Sequence, residues 1–292
     1  MDTSVTSNGH HVDVGDTRLF VEERGDGYPL FLLHGGPGLD HHEFGDYLDS
    51  LTDEFRLLLV DQRGHGLSDH VPPETCTLEN CARDIVSLAR ALDLDRYAVL
   101  GHSWGAFVAL ENAVDFPDAA AQSIISSGLP SARYLEKVFE ELAKFEPKEL
   151  RQQVTDSWAV EKDLQTEEQS AASLHDQLPF HFKDPYDPRI AEFEERSKGA
   201  RYSPEITRYF AADESYGGIE LEDRLAEVTH PVLVISGRHD RTCAVEGGEA
   251  IAEGIPGAEF VVLENSAHMT YVEENEAYCR AVRGFLSAHG AR

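Results

Sequence analysis

The sequence predicts an α/β fold, a mostly parallel, doubly wound sheet that carries a helical insertion. Three observations point there. Continuous Val/Ile/Leu runs recur along the chain, as strands covered on both faces require. Helical patterns alternate with the later runs, which sets neighbouring strands parallel. Between roughly Ser131 and Leu225 the strand-like runs stop, and sequence rich in Glu, Lys, Gln and Ala takes over.

Taken in order, the predicted strands are Arg18–Glu23, Pro29–His34, Phe55–Asp61, Tyr97–Gly101, Ala121–Ser126, Pro231–Gly237 and Glu259–Glu264. A helix begins at Thr77, whose hydroxyl suits an N-cap, and it puts Cys81, Ile85, Leu88 and Leu92 on one face. A second runs from Trp104 to the stop at Pro117, and "EENEAYCRAVRGFL" supplies a last amphipathic helix. Residues 1–130 and 225–292 then form the sheet core, and 131–224 a helical cap. An insertion at the C-terminal edge of a parallel sheet lies over the crevice where ligands bind.

Composition narrows the function classes. Of 292 residues, 41% are apolar, enough for a sizeable core. Lys and Arg number 25 against 54 Asp and Glu, a net charge of −29 that repels nucleic acid and anionic membranes. The acidic balance is similar to that of salt-adapted proteins, which implies solubility that depends on salt. No apolar stretch reaches the ~20 residues of a membrane span. "MDTSVTSNGHHVDVGD" lacks a basic start followed by an apolar run, so a cytoplasmic location is expected. Cys76, Cys81, Cys243 and Cys279 form no C-x-x-C pair and are expected to be reduced thiols, not metal ligands.

The chemistry centres on "GHSWG", which fits G-x-S-x-G between an apolar strand and a helix start. In such an elbow the serine, here Ser103, is lifted out of the sheet on a sharp turn, and the glycines allow close packing around it. A serine hydroxyl needs a base, and the chain order that accompanies this elbow is Ser, then Asp or Glu, then His. His268, in "LENSAHMTYVEEN", follows the last strand and precedes a helix. Asp240 ends "PVLVISGRHD" after the penultimate strand and would orient His268 and stabilise its imidazolium. Asp61 is the weaker acid candidate, with turn formation the plainer role. The oxyanion donors would be the amide of Trp104 and that of Gly36 in "HGGPG", with Gly35 as runner-up.

Other histidines read differently. His10, His11, His41, His42, His70 and His289 are expected in solvent, and His65 and His102 as structural or pocket-lining groups. His34 is expected to hold the glycine loop by a hydrogen bond.

With "HGGPG", "DQRGHGLSD", "GHSWGA", "SGRHD" and "NSAHM" in this order, the chain resembles the α/β-hydrolase superfamily, most closely its proline iminopeptidase-like branch. The similarity covers Val12–Ser126 and Arg224–Ser287. It implies an α/β-hydrolase fold and a serine hydrolase working through an acyl-enzyme on a small molecule or short peptide, without cofactor or metal. Most directly it implies an aminopeptidase or small amidase. Ala106 stands where those peptidases usually carry Gly, and "GHGLSD" and "GHS" look more like esterases, lactonases and carbon–carbon bond hydrolases. A non-catalytic binding protein of this fold is the rival from another class; the intact triad residues set this chain apart from it. An aminopeptidase also needs carboxylates to hold the substrate ammonium. Glu192, Glu194, Glu195, Glu205, Asp213 and Glu214 are available, but in so acidic a chain each reads first as a surface charge.

Overall fold

In the computed structural model, which describes residues 9–212 and 218–291, the apolar runs pair into one eight-stranded sheet. Its strands are β1 (Gly9–Asp13), β2 (Arg18–Arg24), β3 (Tyr28–Leu33), β4 (Phe55–Asp61), β5 (Ala98–His102), β6 (Gln122–Ser126), β7 (Val232–Gly237) and β8 (Glu259–Leu263). The order across the sheet is β1-β2-β4-β3-β5-β6-β7-β8. β1 and β2 join antiparallel, and from β4 to β8 every pairing is parallel. All seven predicted strands are present within a residue or so of their expected limits. β1 was not predicted, and the reason is physical: it is an edge strand on which Val12 alone is buried, so "GHHVD" carries no apolar run.

Helices cover both faces because their apolar stripes need the sheet. Helix α1 (Leu78–Ala91) is capped by the Thr77 side chain, which accepts from the amide of Asn80, and it buries Cys81, Ile85 and Leu88. With α2 (Trp104–Asp115) it packs one apolar layer onto the sheet. Between β6 and β7 lie α3 (Glu136–Lys144), α4 (Lys148–Val160), α5 (Glu167–His181), α6 (Arg189–Arg196) and α7 (Pro204–Ala211). The insertion leaves and rejoins the sheet side by side, at an antiparallel bridge between Ser131 and Glu220. It has its own small core of Val138, Leu142, Phe145, Val154 and Phe180. The chain closes with α8 (Val245–Gly254), α9 (Thr270–Glu273) and α10 (Asn275–Ala288); Tyr278, Val282 and Phe285 of α10 fill the opposite layer. α8 was not predicted, because Gly247 and Gly248 weaken its helical signature.

One topological fact positions the site. β3 and β5 are neighbours, but β3 is followed by β4 on one side and β5 by β6 on the other. Connections leave this pair in opposite directions, which opens a crevice at the carboxyl ends of the strands. "HGGPG" follows β3 and Ser103 follows β5, so both lie at that crevice.

Candidate active site

Ser103 is forced into an unusual backbone. It is the residue between β5 and α2, with φ 54° and ψ −118°, a left-handed conformation that costs a non-glycine residue about 1–3 kcal/mol. Its neighbours explain how so sharp a turn fits. A Cβ on Gly101 would lie 1.9 Å from the carbonyl oxygen of Gly105, and one on Gly105 would lie 2.1 Å from that of Leu33. Both positions must be glycine for strand, turn and helix to approach this closely.

The loops after β7 and β8 bring the acid and the imidazole together. Asp240 Oδ1 accepts hydrogen bonds from the amides of Thr242 and Cys243, each at 2.8 Å. Its Oδ2 lies 2.9 Å from His268 Nδ1. With the carboxylate held by two amides, the remaining oxygen dictates a proton on Nδ1 and leaves Nε2 as the acceptor. Burial alone would lower the pKa of His268, but the charge and hydrogen bond of Asp240 outweigh it and raise the value above 6.5. Its ring packs 5.0 Å from that of His102, the residue before Ser103. Neither Ser103 Oγ nor His268 Nε2 is hydrogen-bonded among the described residues, and Ser103 is half-buried.

His102 and His181 flank the His268 ring, at 5.0 and 5.3 Å between centroids. Burial pushes both well down in pKa, His181 to about 3, so they stand as neutral walls. His181 was missed in the sequence because it belongs to the insertion, where no motif marks it. Its carbonyl accepts from the amide of His268 at 3.0 Å, which ties the insertion to the loop after β8. Arg241, next to Asp240, adds to that tie by donating to the carbonyls of Phe180 (3.1 Å), Phe182 (2.7 Å) and Lys183 (3.0 Å). Arg241→Ala is expected to cost about 3 kcal/mol in urea denaturation, since it orphans three carbonyls that a charged group satisfied. A loss below about 0.5 kcal/mol would show that solvent replaces the clamp freely.

The glycine loop is held as expected. His34 Nδ1 donates to the carbonyl of Gly35 at 2.9 Å, and its Nε2 accepts from the amide of Gln62. The structure separates the two candidate donors. The amide of Gly35 donates to Glu43 Oε2 at 2.5 Å, whereas those of Gly36 and Trp104 have no protein acceptor among the described residues. Gly35, the runner-up, is therefore occupied. The insertion touches this loop as well: the amide of Ser203 donates to the carbonyl of Gly38, and Phe210 meets the Trp104 ring edge-on at 4.7 Å.

Three histidines expected in solvent need correction, and the first is His289, half-buried with its Nε2 2.9 Å from Glu259 Oε1. His41 is not in solvent; it is almost fully buried, with Nδ1 2.7 Å from Asp61 Oδ1 and Nε2 3.6 Å from Glu22. Burial opposes its charge, but hydrogen bonds to Asp61 and Glu22 prevail and lift its pKa to about 10. His42 is half-buried, 2.9 Å from Asp40. An isolated "DHH" in an acidic chain gives no sign of these long-range partners. Asp61 also accepts from the amides of His41 and Leu67, the turn role expected of it. Asp40, His41 and His42 form the one cluster of metal-ligand type among the described residues, but Asp40 and His42 bond each other and His41 bonds Asp61.

Of the insertion carboxylates, Glu192 and Glu195 pair with Arg196 and Lys198 at the surface, and Glu205 with His70. Glu194 pairs with His175, 2.5 Å from its Nδ1, and also lines a cavity of about 130 Å³ with Leu39, Glu43, Leu174, Leu178 and Phe193. This cavity reaches Leu39, directly after the glycine loop, and Glu43, which bonds it, and Ser103 is not in its wall. Asp213 and Glu214 lie outside the described residues.

Comparison with known proteins identifies the family. A family model described as alpha/beta hydrolase fold matches residues 28–275. A proline iminopeptidase from Clostridium botulinum is 29% identical over 279 residues, covering 92% of this chain and 93% of the relative. The crystal structure of proline iminopeptidase from Mycobacterium smegmatis superposes with a TM-score of 0.76 at 25% identity, over 97% of this chain and 98% of that one. An alpha/beta fold family hydrolase from Bacillus anthracis str. Sterne reaches a TM-score of 0.78 at 20% identity, over 96% and 99% of the two chains, a likeness of fold.

Proposed function

Because the chain belongs to the α/β-hydrolase fold family and is an enzyme of that type, we propose that it is a serine hydrolase whose triad is Ser103, His268 and Asp240. One observation carries the reading: the Asp240–His268 hydrogen bond lies beside an elbow whose serine has φ 54°, at the crevice between β3 and β5. Ser103 Oγ attacks the substrate carbonyl while His268 Nε2 takes its proton. The amides of Gly36 and Trp104 bind the tetrahedral oxyanion. His268 then protonates the leaving group, and a water, activated by the same imidazole, hydrolyses the acyl-enzyme.

For the substrate we propose a short peptide or amide with a free N-terminus, as in a proline iminopeptidase. Support comes from the near full-length similarity to such an enzyme. Ala106 favours a second reading, ester or lactone hydrolysis. Parallel assays with proline β-naphthylamide and p-nitrophenyl acetate separate them: amide turnover is expected, and ester turnover without it would sink the peptidase assignment. Residues 131–224 would act as the cap over the core of 1–130 and 225–292, a role supported by the contacts of His181, Ser203 and Phe210 with the site.

The raised pKa of His268 fixes the sign of the pH dependence. The base works only when neutral, so kcat/KM is expected to fall with acid through a midpoint above 6.5. A midpoint below that of a free imidazole would contradict the buried Asp240–His268 pair. The acidic composition supports a salt-adapted protein. Screening shortens from ~10 Å at 0.1 M salt to ~3 Å at 1 M, so Tm is expected to rise across that range; a flat or falling Tm would argue against it. No helix among the described residues is long and apolar enough to cross a membrane. The four free, buried cysteines support a reducing, cytoplasmic setting.

A further inference from the structure

Glu43 sits in the short helical turn His41–Phe44 and is 6% exposed. A carboxyl group in such a place is costly unless it is well partnered. Among the described residues its side chain has one hydrogen bond, from the amide of Gly35 at 2.5 Å. Its backbone carbonyl is fixed too, accepting from the hydroxyl of Tyr271, a buried residue packed on the His102 ring. Glu43 is thus held from behind by the shell around the candidate triad.

What it holds is the residue next to the proposed oxyanion donor. A Cβ on Gly35 would lie 2.8 Å from Glu43 Oε1 and 3.2 Å from Ser103 Cβ, so both side chains pack closely against Gly35 and leave no room for a side chain there. We propose that Glu43 is a positioning residue: by binding the Gly35 amide it fixes the peptide planes of the loop so that the Gly36 amide is the one presented to the substrate oxyanion. His34 Nδ1 holds the Gly35 carbonyl, and with it the peptide plane that carries the Gly36 amide, while Glu43 holds the preceding plane through the Gly35 amide, so the two contacts together set the backbone orientation about Gly35. This inference rests on the serine hydrolase reading. It asks nothing of the charge on Glu43; it asks for an acceptor at the right reach.

Two variants separate reach from charge. Glu43→Gln keeps the length and an acceptor oxygen but removes the charge. Glu43→Asp keeps the charge and is one methylene too short for Gly35. Glu43→Asp is expected to lower kcat about 10- to 100-fold with KM within about threefold, because a donor misplaced by ~1 Å forfeits much of its transition-state binding. Affinity for a boronic acid that mimics the tetrahedral intermediate should fall in parallel with kcat. Glu43→Gln should retain at least a third of wild-type kcat. Equal losses in the two variants, or a Glu43→Asp protein with kcat and boronate affinity within threefold of wild type, would overturn the proposal. The wild type is treated first with a fluorophosphonate, which phosphonylates Ser103 with loss of fluoride. Failure of that labelling overturns the serine hydrolase reading itself and this proposal with it, whereas labelled wild type beside an unaffected Glu43→Asp overturns this proposal alone.

Discussion

On the proposed mechanism, Ser103→Ala is expected to lower kcat by about 10⁶-fold while leaving KM nearly unchanged, as in serine hydrolases stripped of their nucleophile. The substitution removes one oxygen from a half-buried position that makes no side-chain hydrogen bond among the described residues, so no structural partner is orphaned. Alanine must still adopt φ 54°, as serine does, so the strain of the turn is carried over. Stability should therefore match wild type within about 1 kcal/mol, and circular dichroism melts check it. Residual catalysis of about 10³- to 10⁴-fold over water would remain from the oxyanion donors and substrate binding. A variant that keeps more than a hundredth of wild-type kcat would rule out Ser103 as the nucleophile.

Asp240→Asn should cost about 10⁴-fold in kcat, and the structure gives the reason. The oxygen of Asp240 that faces Thr242 and Cys243 accepts from two amides, so the carbonyl oxygen of an asparagine must take that position. Its NH2 group then faces His268 Nδ1, 2.9 Å away in the present structure, and donates to it. The imidazole proton is displaced to Nε2, the atom required to accept from Ser103. The variant would hold its shape and offer the wrong tautomer. The loss should ease as pH rises far enough to ionise Ser103 by other means, so a kcat–pH profile distinguishes this from misfolding. Activity within tenfold of wild type would assign the acid role elsewhere.

Legibility in the sequence followed the range of the interactions. Ser103 was readable because an elbow is local: the apolar strand, the two glycines and the helix start lie within a dozen residues. Asp240 and His268 were readable through their places after successive strands, though their contact spans two loops. Glu43 was not readable. A lone glutamate in a chain with 54 acidic residues looks solvated, and its burial depends on Gly35 and Tyr271 arriving from β3 and α9. His41 failed for the same reason, since Asp61 and Glu22 reach it from β4 and β2. His181 lies in the insertion, where helical periodicity reports amphipathicity but not which loop the helix end will meet.

By itself the sequence determined the alternation of strands and helices, the serine elbow and the order in which Asp240 and His268 follow it. These are written in periodicity and in short-range backbone demands, which adjacent residues satisfy among themselves. The tertiary structure alone decided which amide of "HGGPG" is left without a protein acceptor, which histidines are buried, and how the insertion is fastened to the loop after β8. Those properties depend on desolvation and on partners distant in the chain, and neither exists until the sheet and insertion have packed together.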